Sequence, residues 1–115
     1  IRFIDPIIYT DFIKLQMNAK VVLSDSGSIT EESSIIGFNA INIRENHERP
    51  EGMEEGTVIM SNLNSNTALI AIEKLINTRI ANKIVKDYDV NNVSEKICNI
   101  VLSYRDFVNR VVWHK

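Results

Sequence analysis

Between Ser24 and Ser34 the sequence reads SDSGSITEESS, hydroxyl residues around one glycine just ahead of two adjacent glutamates. Serine hydroxyls, a glycine that lets a ligand approach the backbone, and the unpaired N–H groups of a helix start suit an anion, a phosphate above all. Paired carboxylates are unfavourable beside such an anion and need their own reason. Ser28 and Glu31 stand at capping-box spacing, which would satisfy the helix end with no ligand at all. Glu32 is then left over. One turn into the helix, it could accept hydrogen bonds from the hydroxyls of a sugar, or it could be a solvated surface residue. At this level both readings of the turn stand.

A second polar cluster, IRENHERPEGMEEG from Ile43 to Gly56, contains Arg44, His47, Glu48, Arg49 and Glu51. An arginine here could reach an anion held at the first turn. The competing reading is a charged surface loop with Pro50 opening a short helix. His47 could serve as acid, base or plain loop residue, and no second ligand stands at a spacing that would suggest a metal. His114 is expected to be solvated. Cys98, among apolar neighbours, is expected in a core rather than as a nucleophile. Trp113 is expected to pack or anchor a helix end, and Phe12 to be core, with base stacking as the alternative.

These residues need a scaffold. The run Arg2-Phe3-Ile4 suggests a short strand ended by Asp5-Pro6, and the apolar spacing of Phe12, Ile13, Leu15 and Met17 predicts a helix from about Tyr9 to Asn18. Lys20 to Ser24 reads as a short strand buried on both faces. A helix over about Ser28–Ile36 stops at Gly37. Ala40–Ile43 and Thr57–Met60 read as further strands, and Thr67–Lys83 as a helix with Leu69, Ile72, Leu75, Ile76 and Ile80 on one face. Strands alternating with helices predict βαβ units, a parallel sheet, and ligands at its carboxyl edge. After the linker-like KDYDVNN, with Asn91, Asn92 and Ser94 as candidate caps, Val93, Ile97, Ile100, Val101, Tyr104, Val108 and Val111 recur at helical spacing over about 30 Å.

The bulk numbers narrow the class. The chain has 115 residues, enough for one core. Hydrophobic content of 44% and charged content of 24% are ordinary for a globular protein. A net charge of −2 makes no case for nucleic acid or an anionic membrane surface. No apolar run is long enough to span a bilayer. The opening IRFIDPIIYTDF does not read as a signal peptide, and a lone cysteine fits a reducing cytoplasm. A start without methionine, directly in a strand-like run, suggests a piece of a larger protein.

Together, DSGSITEESS, IRENHERPEG and the GTV of the next strand resemble the C-terminal half of the non-hydrolysing UDP-N-acetylglucosamine 2-epimerase family. YTDFIKLQMNA upstream and the order of elements match as well. NHERPEGMEEG and the ending DYDVNNVSEKI…SYRDFVNRVVW look like the branch forming UDP-N-acetyl-L-fucosamine for capsular or O-antigen polysaccharide. The resemblance implies an α/β fold: a Rossmann-like parallel sheet, the C-terminal part of a two-domain GT-B fold, with a long C-terminal helix. Residues 1–90 would belong to the UDP-binding domain, and residues 91–115 would be a helix crossing back to the N-terminal domain. On that reading Val108, Val111 and Val112 should here be exposed, poorly ordered or covered by a second copy.

Carried over by position, Ser26, Gly27 and Ser28 would hold the diphosphate, Glu32 the ribose hydroxyls, Phe12 would lie near the uracil, and Arg49 would stand at the site edge. Ser28 replaces a second glycine common in the family, so its φ must be negative unless strained. The implied reaction eliminates UDP across C1–C2 and re-adds it after C2 is protonated on the other face. Its acid and base groups would lie chiefly in the N-terminal domain, so this chain would supply no catalytic residue and be inactive alone. The resemblance implies no cofactor and no metal. The implied partners are a UDP-sugar substrate, the N-terminal domain, and a second copy as a cytoplasmic homodimer, with no nucleic acid or membrane. A GT-B glycosyltransferase and a non-catalytic nucleotide-binding module remain as alternatives.

Overall fold

The computed structural model describes residues 1–46, 48–78 and 84–115. Helix α1 (Tyr9–Asn18) leads to strand β1 (Val22–Ser24), α2 (Ile29–Ile36), β2 (Ala40–Asn42), α3 (Pro50–Glu54) and β3 (Val58–Met60). Helix α4 (Ser65–Asn77), a 3-10 turn (Lys86–Tyr88) and α5 (Val93–Val111) follow. The strands form one parallel sheet in the order β1-β2-β3, with Val22, Ala40 and Val58 in register. This is the α/β arrangement that the alternation of elements predicts.

Side chains of the middle strand alternate between two cores. Ala40 joins Ile29, Phe38 and Val58 on the face covered by α2, with Met53 of α3 packed alongside. Ile41 points the other way, to Ala71 and Leu75 of α4. The buried stripe of α4 is thus Ala71, Ile72 and Leu75, whereas Leu69 and Ile76, expected on that face, are exposed. Ile80, also expected there, lies outside the described residues. Asn64 caps α4, its side chain accepting from the Thr67 amide at 3.0 Å. Gly37 ends α2 in the left-handed region (φ 83°), its amide donating to Ser33 O at 2.9 Å.

Two strand expectations are corrected. Residues 1–8 form no strand and are exposed throughout; the sheet ends at β1, and this segment does not add to it. Strand β1 is not buried on both faces. Its Leu23 is 44% exposed, because β1 is the sheet edge and α4 sets its apolar stripe against β2 instead.

Helix α5 stands apart, with no buried residue. Val108 is half-buried, Val111 is 47% exposed and Val112 63% exposed. The radius of gyration, 18.2 Å, exceeds the roughly 13 Å of a compact domain of about 100 residues. Cys98, expected in a core, is exposed on this helix for the same reason. Asn92 stands at its N-cap without a side-chain cap bond. No helix among the described residues is long and apolar enough to cross a membrane.

The position of α3 depends on Gly52. A Cβ there would collide with the Thr30 methyl and come to 3.2 Å from Val58 Cγ1. Gly52→Ala is therefore expected to destabilise the fold by about 1–3 kcal/mol through overpacking, despite the helix propensity of alanine. A lower urea midpoint at unchanged m-value is the readout; an unchanged midpoint would show that α3 shifts without cost.

Candidate functional site

Strand β1 ends in Ser24, and the next four residues turn the chain into α2 at the carboxyl edge of the sheet. The turn is tied by its own hydroxyls. Ser24 Oγ accepts from the Ser26 amide at 3.0 Å, and Ser26 Oγ accepts from the Ser28 amide at 3.3 Å. The Ser26 and Ser28 hydroxyls lie 3.0 Å apart. Ser28 takes an ordinary right-handed conformation (φ −64°, ψ −16°), so the turn closes without a second glycine.

The capping box does not form. Ser28 makes no side-chain bond to the helix amides; its hydroxyl donates instead to Glu32 Oε1 at 3.0 Å. Glu31 is held by a stronger partner, Arg49, whose Nε lies 2.5 Å from Glu31 Oε1 with both side chains about two-thirds buried. A charge-assisted bond of this kind outweighs a neutral cap.

Arg49 is the residue before Pro50, which opens α3. Its guanidinium occupies the space directly over Gly27: a Cβ at that position would run into Arg49 Nη1 and come within 3.6 Å of Arg44 Nη1. Two cations from the β2–α3 loop therefore converge on the one side-chain-free point of the turn. Arg44 has a looser partner in Glu48, at 3.9 Å.

Glu32 is fixed from both sides. Gln16 of α1, only 3% exposed, donates Nε2 to Glu32 Oε2 at 2.8 Å, complementing the Ser28 contact on Oε1. Each carboxylate oxygen retains capacity for another donor. Gln16 was not legible as a site residue, although it stands one helical turn from Phe12 and so on the same face. Phe12 is 41% exposed and, with Ile4, Pro6, Ile7, Leu15 and Gln16, lines an open apolar cleft of about 580 Å³. Phe12 is thus a cleft wall rather than core.

The structure accordingly brings Ser26, Gly27, Ser28, Glu32 and Arg49 together, and Gln16 joins them to the Phe12 cleft. Glu51 accepts from the Tyr88 hydroxyl at 2.6 Å. Burial and the Glu51 carboxylate, with Glu31 beyond it, push the Tyr88 phenol far above its ordinary range, offset in part by Arg49. His47 lies outside the described residues. Trp113 sits exposed at the end of α5 with the Lys115 ammonium 5.2 Å from its ring centroid.

The chain that carries this hydroxyl-tied turn, the two arginines over it and the neighbouring apolar cleft has known relatives. Residues 1–102 fit the family described as UDP-N-acetylglucosamine 2-epimerase. The chain belongs to that family. It superposes on the solved UDP-N-acetylglucosamine 2-epimerase of Rickettsia bellii with a TM-score of 0.83 and 50% identity, covering 99% of this chain and 32% of that one. The enzyme of that name from Methanocaldococcus jannaschii is 37% identical over 79 residues, 69% of this chain and 22% of its own length. The Neisseria meningitidis enzyme is 30% identical over 110 residues, 91% of this chain and 29% of its own. The chain therefore spans under a third of each of these relatives.

The family member's turn offers a test without any ligand. Gly27→Ala places a methyl where Arg49 now lies, and a flexible side chain can yield where a backbone cannot. The expected outcome is a thermal midpoint changed little, while the Arg49 Nε–H signal in an NMR spectrum loses its protection from solvent exchange. Retained protection would show that the Glu31–Arg49 pair does not depend on the bare glycine.

Proposed function

We propose that the chain is the UDP-binding part of a UDP-N-acetylhexosamine 2-epimerase. The observation that carries this is the convergence of Arg49 and Arg44 over Gly27 beside a carboxylate pinned by Gln16 and Ser28, in a chain of this family. Each part of the ligand finds a chemical match. The diphosphate suits the Ser26–Ser28 turn and the arginines. Ribose hydroxyls suit Glu32, and the flat uracil suits the cleft walled by Phe12. The stretch NHERPEGMEEG supports a 2-acetamido-2,6-dideoxy-hexose as the sugar carried by UDP.

In the proposed reaction a proton leaves C2 as the C1–O bond breaks, and the bond electrons depart with UDP. Charge then grows on the terminal phosphate, where preorganised arginines and backbone N–H groups are most effective. The same contacts hold UDP until C2 is reprotonated on its opposite face and the C1–O bond re-forms. This chain binds and stabilises the leaving group; the groups that move the C2 proton belong to an N-terminal domain. The exposed stripe of α5 supports such a domain, since Ile97, Ile100, Val101, Tyr104 and Val111 are apolar side chains without a cover.

UDP titration is expected to shift the amide signals of Ser26 to Thr30. Glu32→Gln should weaken UDP by roughly 1.5–3 kcal/mol, the worth of a hydrogen bond to a charged group, and weaken a 2′,3′-dideoxy analogue less. Calorimetry of both ligands measures this, and equal losses would remove Glu32 from the ribose.

Residues 1–115 alone should not exchange the C2 proton of a UDP-N-acetylhexosamine with deuterated water, whereas the complete enzyme should. Exchange catalysed by the purified chain would place an acid–base pair within it and overturn the division of roles.

A further inference from the structure

The segment after α4, read from sequence as a linker, makes two long-range contacts that the reading of the UDP site does not use. The Val85 amide donates to Ser34 Oγ of α2 at 2.8 Å in a buried contact, with Val85 itself 2% exposed. Three residues on, the Tyr88 hydroxyl donates to Glu51 Oε1 in the first turn of α3 at 2.6 Å. The two anchors lie on the two helices that carry the site: α2 bears Glu31 and Glu32, and α3 begins immediately after Arg49. The Arg49–Glu31 pair links these helices at the mouth of the site, and the Val85–Tyr88 strap links them a second time.

From this geometry we infer that Tyr88 is a positioning residue for the diphosphate, acting through Glu51 to fix the start of α3 and so hold Arg49 over Gly27. The inference rests on the proposed UDP site. Glu51 is two residues from Arg49 with the rigid Pro50 between them, so a displacement at Glu51 is carried to the Arg49 backbone rather than absorbed. The phenol suits the task because burial and the Glu51 and Glu31 carboxylates oppose its ionisation, which keeps it a hydrogen-bond donor. Among the described residues, the Tyr88 hydroxyl bonds to Glu51 and Tyr88 is not among the residues lining the Phe12 cleft. Its effect should therefore fall on the phosphates and spare the nucleoside.

The test uses the complete enzyme and calorimetric affinities for UDP and for uridine, in the parent, Tyr88→Phe, Arg49→Met and the double variant. Phenylalanine keeps the ring and removes only the hydroxyl. Tyr88→Phe is expected to weaken UDP about three- to tenfold, the scale of one hydrogen bond to a charged group after partial compensation. Uridine affinity should stay unchanged, which also shows that the fold persists. In the Arg49→Met background Tyr88→Phe should add nothing further, because the group it positions is gone. An unaltered UDP affinity in Tyr88→Phe, when Arg49→Met does weaken UDP, overturns the role of Tyr88 alone. So does a parallel fall in uridine affinity, or an equal loss in both backgrounds. If Arg49→Met leaves UDP affinity unchanged, the arginine site itself is wrong and the inference falls with it.

Discussion

A three-stranded parallel sheet is stable only while both its faces are covered, and here that requirement falls on β2. Ala40, Ile41 and Asn42 are completely inaccessible to solvent, and consecutive residues feed opposite cores. One of those cores fixes α2, the other fixes α4, and Gly52 lets α3 settle against Thr30 and Val58. Everything at the carboxyl edge inherits its place from this stack. The turn after β1 and the loop after β2 leave adjacent strands at the same edge, so Glu31 and Arg49, far apart in sequence, become partners beside Gly27.

The site's charges are arranged in answer to one another. Glu31, which would repel an anion, is joined to Arg49, and Glu32 is restrained by two neutral donors. On the proposed reading, paired glutamates beside a phosphate-binding turn cease to be a contradiction. One organises the cation that stands over the turn, and the other would offer its remaining acceptor capacity to the ribose hydroxyls of the proposed ligand. The hydroxyl chain from Ser24 through Ser28 adds stiffness without adding charge.

Much of this was legible because it is local. The period of apolar residues marked α1, α2, α4 and α5, Gly37 marked where α2 stops, and the alternation of elements fixed a parallel sheet. What was illegible depends on distant partners. Ser28 and Glu31 have capping-box spacing, yet each is claimed by a side chain that the local pattern does not include. Leu23 reads as buried, but its exposure depends on which strand lies at the edge. Gln16 reads as an ordinary helix residue until α2 brings Glu32 beside it. Tyr88 sits in a stretch that looks like a linker, and its partner is 37 residues away. The run Arg2–Ile4 has strand composition but does not join the sheet, whose edge is β1. Cys98 and its apolar neighbours have core composition on a helix that this chain leaves uncovered.

The pairing of each arginine with a glutamate bears on how a ligand arrives. Arg49 is matched by Glu31 and Arg44 by Glu48, on a chain whose net charge is −2. Matched pairs project little field beyond a Debye length of about 8–10 Å. On the proposed reading, these pairs would exert almost no pull on a diphosphate approaching through solvent until it reaches the mouth of the site, where the guanidinium groups can turn toward it. These pairs would add none of the acceleration that an unbalanced positive cleft provides. Their contribution would lie in how long a ligand stays, and would leave the association rate little dependent on ionic strength.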